Sequence, residues 1–128
     1  MITSENTKTI RDLVENAGRE YGDRIYLRYE ENDVVYEVSY KQFAAECMAI
    51  AAWTAEQSRQ AGHTVHVGLM GSSSHHYLAV LLGVMSAGCV AVPLDIQVNL
   101  DTFCDCLTRS DVDVLFYDWE HRPLVDGA

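Results

Sequence analysis

Apolar and polar positions follow two different periods along this chain. Between residues 9 and 21, Ile10, Leu13, Val14 and Ala17 recur at helical spacing, and Thr9 stands where an N-cap belongs. Gly22-Asp23 ends that pattern. Two runs follow, Ile25-Tyr26-Leu27-Arg28-Tyr29 and Val34-Val35-Tyr36-Glu37-Val38, in which aromatic and β-branched residues alternate with charged ones. The polar link Glu31-Asn32-Asp33 between them predicts a hairpin with one wet face. Ser39-Tyr40-Lys41-Gln42 has the S-x-x-Q form of a capping box, in which the Ser oxygen accepts a free N–H and Gln reaches back. A helix over 40–60 is expected from it, with Phe43, Cys47, Ile50, Ala51 and either Trp53 or Thr54 on the buried stripe. Ala61-Gly62 closes it.

Beyond residue 64 the runs become continuously apolar. Val65-His66-Val67-Gly68-Leu69-Met70 reads as a strand and Gly71-Ser72-Ser73-Ser74 as a loop. Residues 75–87 read as a helix apolar nearly all round, which needs cover on several sides. Gly88 stops it, Cys89-Val90-Ala91-Val92 is a short strand ended by Pro93, residues 101–109 form a modest helix, and 112–117 form another buried-type strand. Strand, helix, strand, helix, strand with unbroken apolar strands predicts a parallel sheet flanked by helices. The fold class is therefore α/β: a parallel sheet between helices, preceded by a helix and a β-hairpin, in one domain over 1–128. The pattern is lost after Asp118, so 119–128 is expected to be a loop or tail.

Residues 77–94 carry no charge over 18 positions, the lower length limit of a membrane-spanning helix. Ala87-Gly88 splits the stretch, Pro93 ends it and no basic cluster flanks it, so no transmembrane segment is expected.

Composition narrows the partners. With 9 Lys and Arg against 19 Asp and Glu, the net charge is −10, which disfavours nucleic acid and anionic membrane surfaces. The apolar share, 48%, suits a folded domain. The start, Met1 to Asn6, lacks an apolar leader segment. Cys47 and Cys89 sit in apolar runs and read as small hydrophobes in a reducing, cytoplasmic setting. Cys104 and Cys106 lack the spacing of a zinc knuckle.

Candidate chemistry is sparse. Gly71, Ser72, Ser73 and Ser74, with His75 and His76 after them, lie between a strand and a helix, where α/β sheets bind ligands. The stretch is not a dinucleotide fingerprint, a P-loop or a nucleophile elbow. Its plainest role is a turn with Ser73 or Ser74 as N-cap; the four loop residues are the candidate lining of a ligand channel. His75 and His76 are adjacent and are expected to point apart, whereas paired helical metal ligands sit at i, i+4. With His63 and His66 they read as surface or capping groups. The acidic residues are scattered, so no catalytic, cofactor-binding or metal-ligating residue is assigned.

One stretch is distinctive. Met85-Ser86-Ala87-Gly88-Cys89-Val90-Ala91-Val92-Pro93-Leu94-Asp95 resembles the AGAVxVPL-type motif of adenylate-forming (AMP-binding) enzymes, which include acyl-CoA synthetases, luciferase-like proteins and peptide-synthetase adenylation domains. Val38-Ser39-Tyr40-Lys41-Gln42-Phe43 is similar to that family's T/S-Y-x-E-L helix start. Ala61-Gly62 with Val65-His66-Val67-Gly68-Leu69 resembles its strand entry, and residues 101–117 resemble its next helix and strand. Thr9-Ile10-Arg11-Asp12-Leu13, Tyr21-Gly22-Asp23 and Tyr26-Leu27-Arg28-Tyr29 are most similar to long-chain fatty acid–CoA ligases. The family's Gly-Asp before the central strand is His63-Thr64 here.

The resemblance covers 9–118 and implies the N-terminal subdomain of the acyl-CoA synthetase fold. The parent enzyme would join a fatty carboxylate to AMP using ATP and Mg²⁺, release pyrophosphate, and pass the acyl group to CoA. The family's phosphate loop, nucleotide motifs and catalytic lysine lie downstream, so none maps onto a residue here. The expected role is a scaffold, inactive alone, whose partner is the remainder of the ligase. The alternative is a self-contained binding module that dimerises through uncovered apolar surface.

Overall fold

Thr9 begins the first helix by exchange of hydrogen bonds. Its hydroxyl accepts the Asp12 N–H and the Asp12 carboxylate accepts the Thr9 N–H, closing a capping box ahead of α1 (Ile10–Tyr21). In the computed structural model, which describes Met1–Ala128, Gly22 then turns the chain at φ 48°. The hairpin pairs β1 (Ile25–Glu31) with β2 (Val34–Ser39) antiparallel, Glu31 opposite Val34. Asn32 and Asp33 hold φ values of 52° and 62°, a two-residue turn whose twist matches that of its strands. The expected single wet face is not what forms: Val34, Val35, Tyr36 and Glu37 are all exposed in succession, so both faces are wet near the turn, where Tyr36 stacks on Tyr29 and Arg28 pairs with Glu37 at 2.9 Å.

Ser39 and Gln42 make the expected box, and α2 (Tyr40–Ala61) runs until Gly62 takes the left-handed conformation. Phe43, Cys47, Ala51 and Thr54 form the buried stripe. Trp53 lies a helical step off it and is exposed. Thr54 is tolerated inside because its hydroxyl donates to the Ile50 carbonyl at 2.7 Å.

The parallel sheet is three-stranded in the order β4-β3-β5, with β3 (His66–Met70) central, β4 (Val90–Pro93) and β5 (Val114–Tyr117) at its sides. The crossovers are α3 (His75–Ser86) and α4 (Leu100–Arg109). Val67 pairs with Ala91 on one side and Val114 on the other. Two strands flank β3, so its residues are the most buried of the sheet; Val65, Val67 and Leu69 form one apolar cluster with Val84 of α3. A second cluster joins Val14, Phe43, Cys47 and Ala79 from α1, α2 and α3. All four cysteines are free thiols, and burial pushes Cys47 up to about 12, so it behaves as a small hydrophobe.

Several ends, such as those of α2, β3, α3 and α4, differ from expectation by one residue, and three differences have a visible cause. The last strand starts at Val114 rather than 112, because the Val112 N–H still bonds the Leu107 carbonyl and Asp111 turns the chain at φ 53°. Cys89 precedes β4, its N–H closing the end of α3 on the Val84 carbonyl. The segment after Asp118 is not a loop or tail: Trp119–His121 is one turn of 3-10 helix and Arg122–Asp126 is α5. Pro123 presets the helical φ in the first turn, Arg122 pairs with Asp126 at 3.1 Å, and its guanidinium lies 4.4 Å from the centre of the Trp119 ring. No helix is long and apolar enough to cross a membrane; Gly88, at φ 73°, divides the uncharged stretch between α3 and β4.

Candidate functional site

A cleft of about 660 Å³ opens at the carboxyl ends of β3 and β5. Ligands of α/β sheets bind at this edge, and the volume suits a drug-sized molecule. Met70 and Tyr117 end the two strands there, the first turn of α3 forms one border, and Tyr29, Glu30 and Glu31 of the hairpin form another. Gly71, Ser72, Ser73 and Ser74 all lie on its wall. Ser74, not Ser73, is the cap of α3, its hydroxyl accepting the Tyr77 N–H at 3.1 Å.

Two residues that the sequence reading did not single out shape this loop. Asp118, directly after β5, accepts the Ser72 N–H at 2.9 Å through Oδ2, and His121 pairs with Oδ1. Gly71 passes so close to this carboxylate that a Cβ on it would sit 3.3 Å from Oδ2. An acid immediately beyond an apolar strand, at the ligand edge of a sheet, was the available clue. Burial opposes ionisation of Asp118, but the bonds from His121 and the Ser72 amide outweigh it, so the carboxyl titrates below its ordinary range. A lowered folded-state pKa means the bracket is fully present above the unfolded carboxylate range and is lost as pH falls through the folded value. Asp118→Ala is therefore expected to raise the amide exchange rate of Ser72 roughly tenfold at neutral pH. Wild type should approach the variant only in acid; matching rates at pH 7 would overturn the bracket.

The histidines are not where adjacency put them. His75 is neither a cap nor a surface group: its side chain is 8% exposed and it rests 5.0 Å from the Tyr29 ring. His75 and His76 do not point apart. Their ring centres are 3.9 Å from each other, and both Nδ1 atoms turn toward Glu46 of α2. Burial, with the neighbouring His76, pushes the His75 pKa down. His63 and His66 instead serve the opposite end of the sheet. Asp113 accepts the His66 N–H at 2.8 Å and pairs with His63 Nε2 at 3.1 Å, while His66 Nδ1 donates to the Ser110 carbonyl at 2.8 Å.

The charged residues on the cleft wall are Glu30, Glu31, Asp118 and Glu120, with no Lys or Arg among its lining. Such a wall does not suit the phosphates of ATP or CoA. Mg²⁺ prefers oxygen ligands in octahedral array, whereas the one cluster of metal-capable side chains contains two imidazoles. The cleft wall does not fit the nucleotide, its metal or CoA, and no step is routed through them.

A small parallel sheet with helices around it, a hairpin before it and a Ser-rich loop at the cleft defines the N-terminal subdomain of the acyl-CoA synthetase fold. The N-terminal domain of FACL13 from Mycobacterium tuberculosis superposes with a TM-score of 0.78 at 20% identity, over 93% of this chain and 29% of that one. A fatty acid AMP ligase from Legionella pneumophila does so at 0.73 and 19% identity, over 94% of this chain and 22% of that one. A polyketide synthase–nonribosomal peptide synthetase from Phaeosphaeria nodorum is 23% identical over 117 residues, which is 91% of this chain and 3% of that protein. Residues 14–127 match the family described as AMP-binding enzyme, and the chain belongs to it. It thus has the N-terminal architecture of an adenylate-forming enzyme while spanning under a third of each of these relatives.

Proposed function

We propose that the chain forms the N-terminal part of an AMP-forming long-chain fatty acid–CoA ligase, in the cytoplasm, acting as scaffold and as one wall of the acyl channel. The observation that carries this reading is the cleft wall: Leu69, Val80 and Phe116 give it apolar surface, it borders Gly71, Ser72, Ser73 and Ser74, and it offers no cation. A hydrocarbon tail suits the apolar part of this wall, and a triphosphate does not suit its carboxylates. ATP, Mg²⁺ and CoA would be held by the remainder of the ligase, the chain's partner in this reading. A structural neighbour named as a fatty acid AMP ligase supports a fatty substrate.

The 128-residue chain alone is accordingly expected to release no pyrophosphate from ATP and Mg²⁺ in the presence of palmitate, and to form no acyl-CoA with CoA. Fatty acid-dependent pyrophosphate release above the no-protein control would overturn the scaffold role. A second reading, a dimerising module, is favoured by one observation. Ile50, Trp53, Val114, Leu115 and Phe116 line an apolar depression, with Trp53 exposed. Light-scattering mass should then double as concentration rises; a monomer throughout removes that reading.

A further inference from the structure

We propose that Glu46, His75 and His76 form a binding site for a late divalent transition metal, taken here as Zn²⁺. The site lies where α2 meets the first turn of α3. His76 Nδ1 lies 2.8 Å from Glu46 Oε1, and His75 Nδ1 lies 3.6 Å from Glu46 Oε2. One ligand atom from each residue falls within 4.8 Å of the other two. In a tetrahedral zinc site, with bonds of about 2.0–2.2 Å, ligand atoms stand roughly 3.4 Å apart. The observed spread brackets that distance, and torsions of the Glu46 and His76 side chains close the difference.

His75 supplies the independent observation. Its side chain is more than nine-tenths buried, both ring nitrogens are shielded from water, and neither makes a hydrogen bond. Buried imidazole nitrogens normally have a partner, because water has been removed and must be replaced. At 3.6 Å the Glu46 oxygen is too far to serve. A metal ion held between His75 Nδ1, His76 Nδ1 and Glu46 supplies a partner for Nδ1.

The donor set decides which ion. Two imidazoles and one carboxylate match zinc, cobalt, nickel and copper, whereas magnesium and calcium favour oxygen alone. Three protein ligands leave a fourth position for water or a bound group. His76 is exposed and lines the cleft, so an ion has a route in. Adjacent histidines cannot do this from one helix; the third ligand comes from α2, 30 residues before His76. The proposal stands apart from the ligase reading, since it uses only these three side chains.

The test is a Zn²⁺ titration of the metal-free 128-residue chain against a chromogenic chelator. One ion should bind per chain. Glu46→Gln and His76→Ala should each weaken binding at least tenfold, since even partners outside the ligand shell cost about 10–100-fold. His63→Ala, Cys104→Ser and Cys106→Ser should leave it unchanged. Both test positions are at least partly solvent-exposed, and circular dichroism confirms that the variants fold. Zinc-edge absorption should show nitrogen and oxygen neighbours without sulfur. Binding that survives both Glu46→Gln and His76→Ala, sulfur in the shell, or no saturable binding below about 1 mM would each overturn the site.

Discussion

Gly83→Val is expected to lower the unfolding free energy by about 3 kcal/mol or more, at or beyond the upper end of ordinary overpacking. Helices α2 and α3 come closest at this residue. A Cβ there would fall 2.7 Å from the Cys47 carbonyl oxygen and 2.8 Å from Ile50 Cβ. A side-chain tip could rotate away, but a backbone carbonyl inside a helix cannot, so the two helices must separate. Cys47, Ala79 and Val84 are fully buried around this contact and would lose neighbours together. Against a total stability of roughly 5–15 kcal/mol, the loss brings the chain near its threshold. Urea unfolding should show a much lower midpoint for Gly83→Val and an intermediate one for Gly83→Ala. A midpoint equal to wild type in both would show that the helices do not meet at this distance.

Leu69→Ala should cost about 2–5 kcal/mol and lower Tm by roughly 10 °C or more. Leu69 is 1% exposed in the central strand, clustered with Val65, Val67 and Val84. It stands between Pro93 and Phe116 in the sheet register, so no single neighbour can move in to fill the space. Because Leu69 also reaches the cleft, the truncation should enlarge that space as it weakens the core. Leu69→Met, which keeps the volume, should cost less than about 1.5 kcal/mol. Scanning calorimetry separates the cases; equal Tm shifts for the two substitutions would contradict the packing described.

Most elements were legible because their signals are local. Two capping boxes, at Thr9 and Ser39, and the turn at Asn32-Asp33 are completed within a few residues. The continuous apolar runs of β3 and β5 announced a sheet covered on both faces. The choice between Trp53 and Thr54 stayed open because both lie near the stripe; Thr54 wins by bonding its hydroxyl to its own helix. The final helix was not legible, since a five-residue element cannot display a 3.6-residue period. The cleft loop could be named from its place between a strand and a helix. The groups that shape it could not, because the Ser72 bond to Asp118 and the His76 bond to Glu46 span 46 and 30 residues. Adjacency alone sent His75 and His76 apart; His75 is buried against Tyr29 of the hairpin and His76 bonds Glu46 of α2, contacts that no local pattern displays.

The parallel pairing of β3 with β5 has a consequence for how the chain matures. The His66 amide waits for Asp113, 47 residues later, and the Ser72 amide waits for Asp118. Helices α1, α2 and α3 and the hairpin all lie before Ser86, so every residue of their shared cluster precedes Asp113 and Asp118 in the chain. During synthesis the N-terminal half emerges first, and distant strand pairing must await its partner. The residues of the helical layer are thus all made before the carboxylate that brackets the Ser-rich loop. That loop takes its shape only when the ribosome has released Asp118, so a ligand that needs the shaped cleft meets only chains grown past that point.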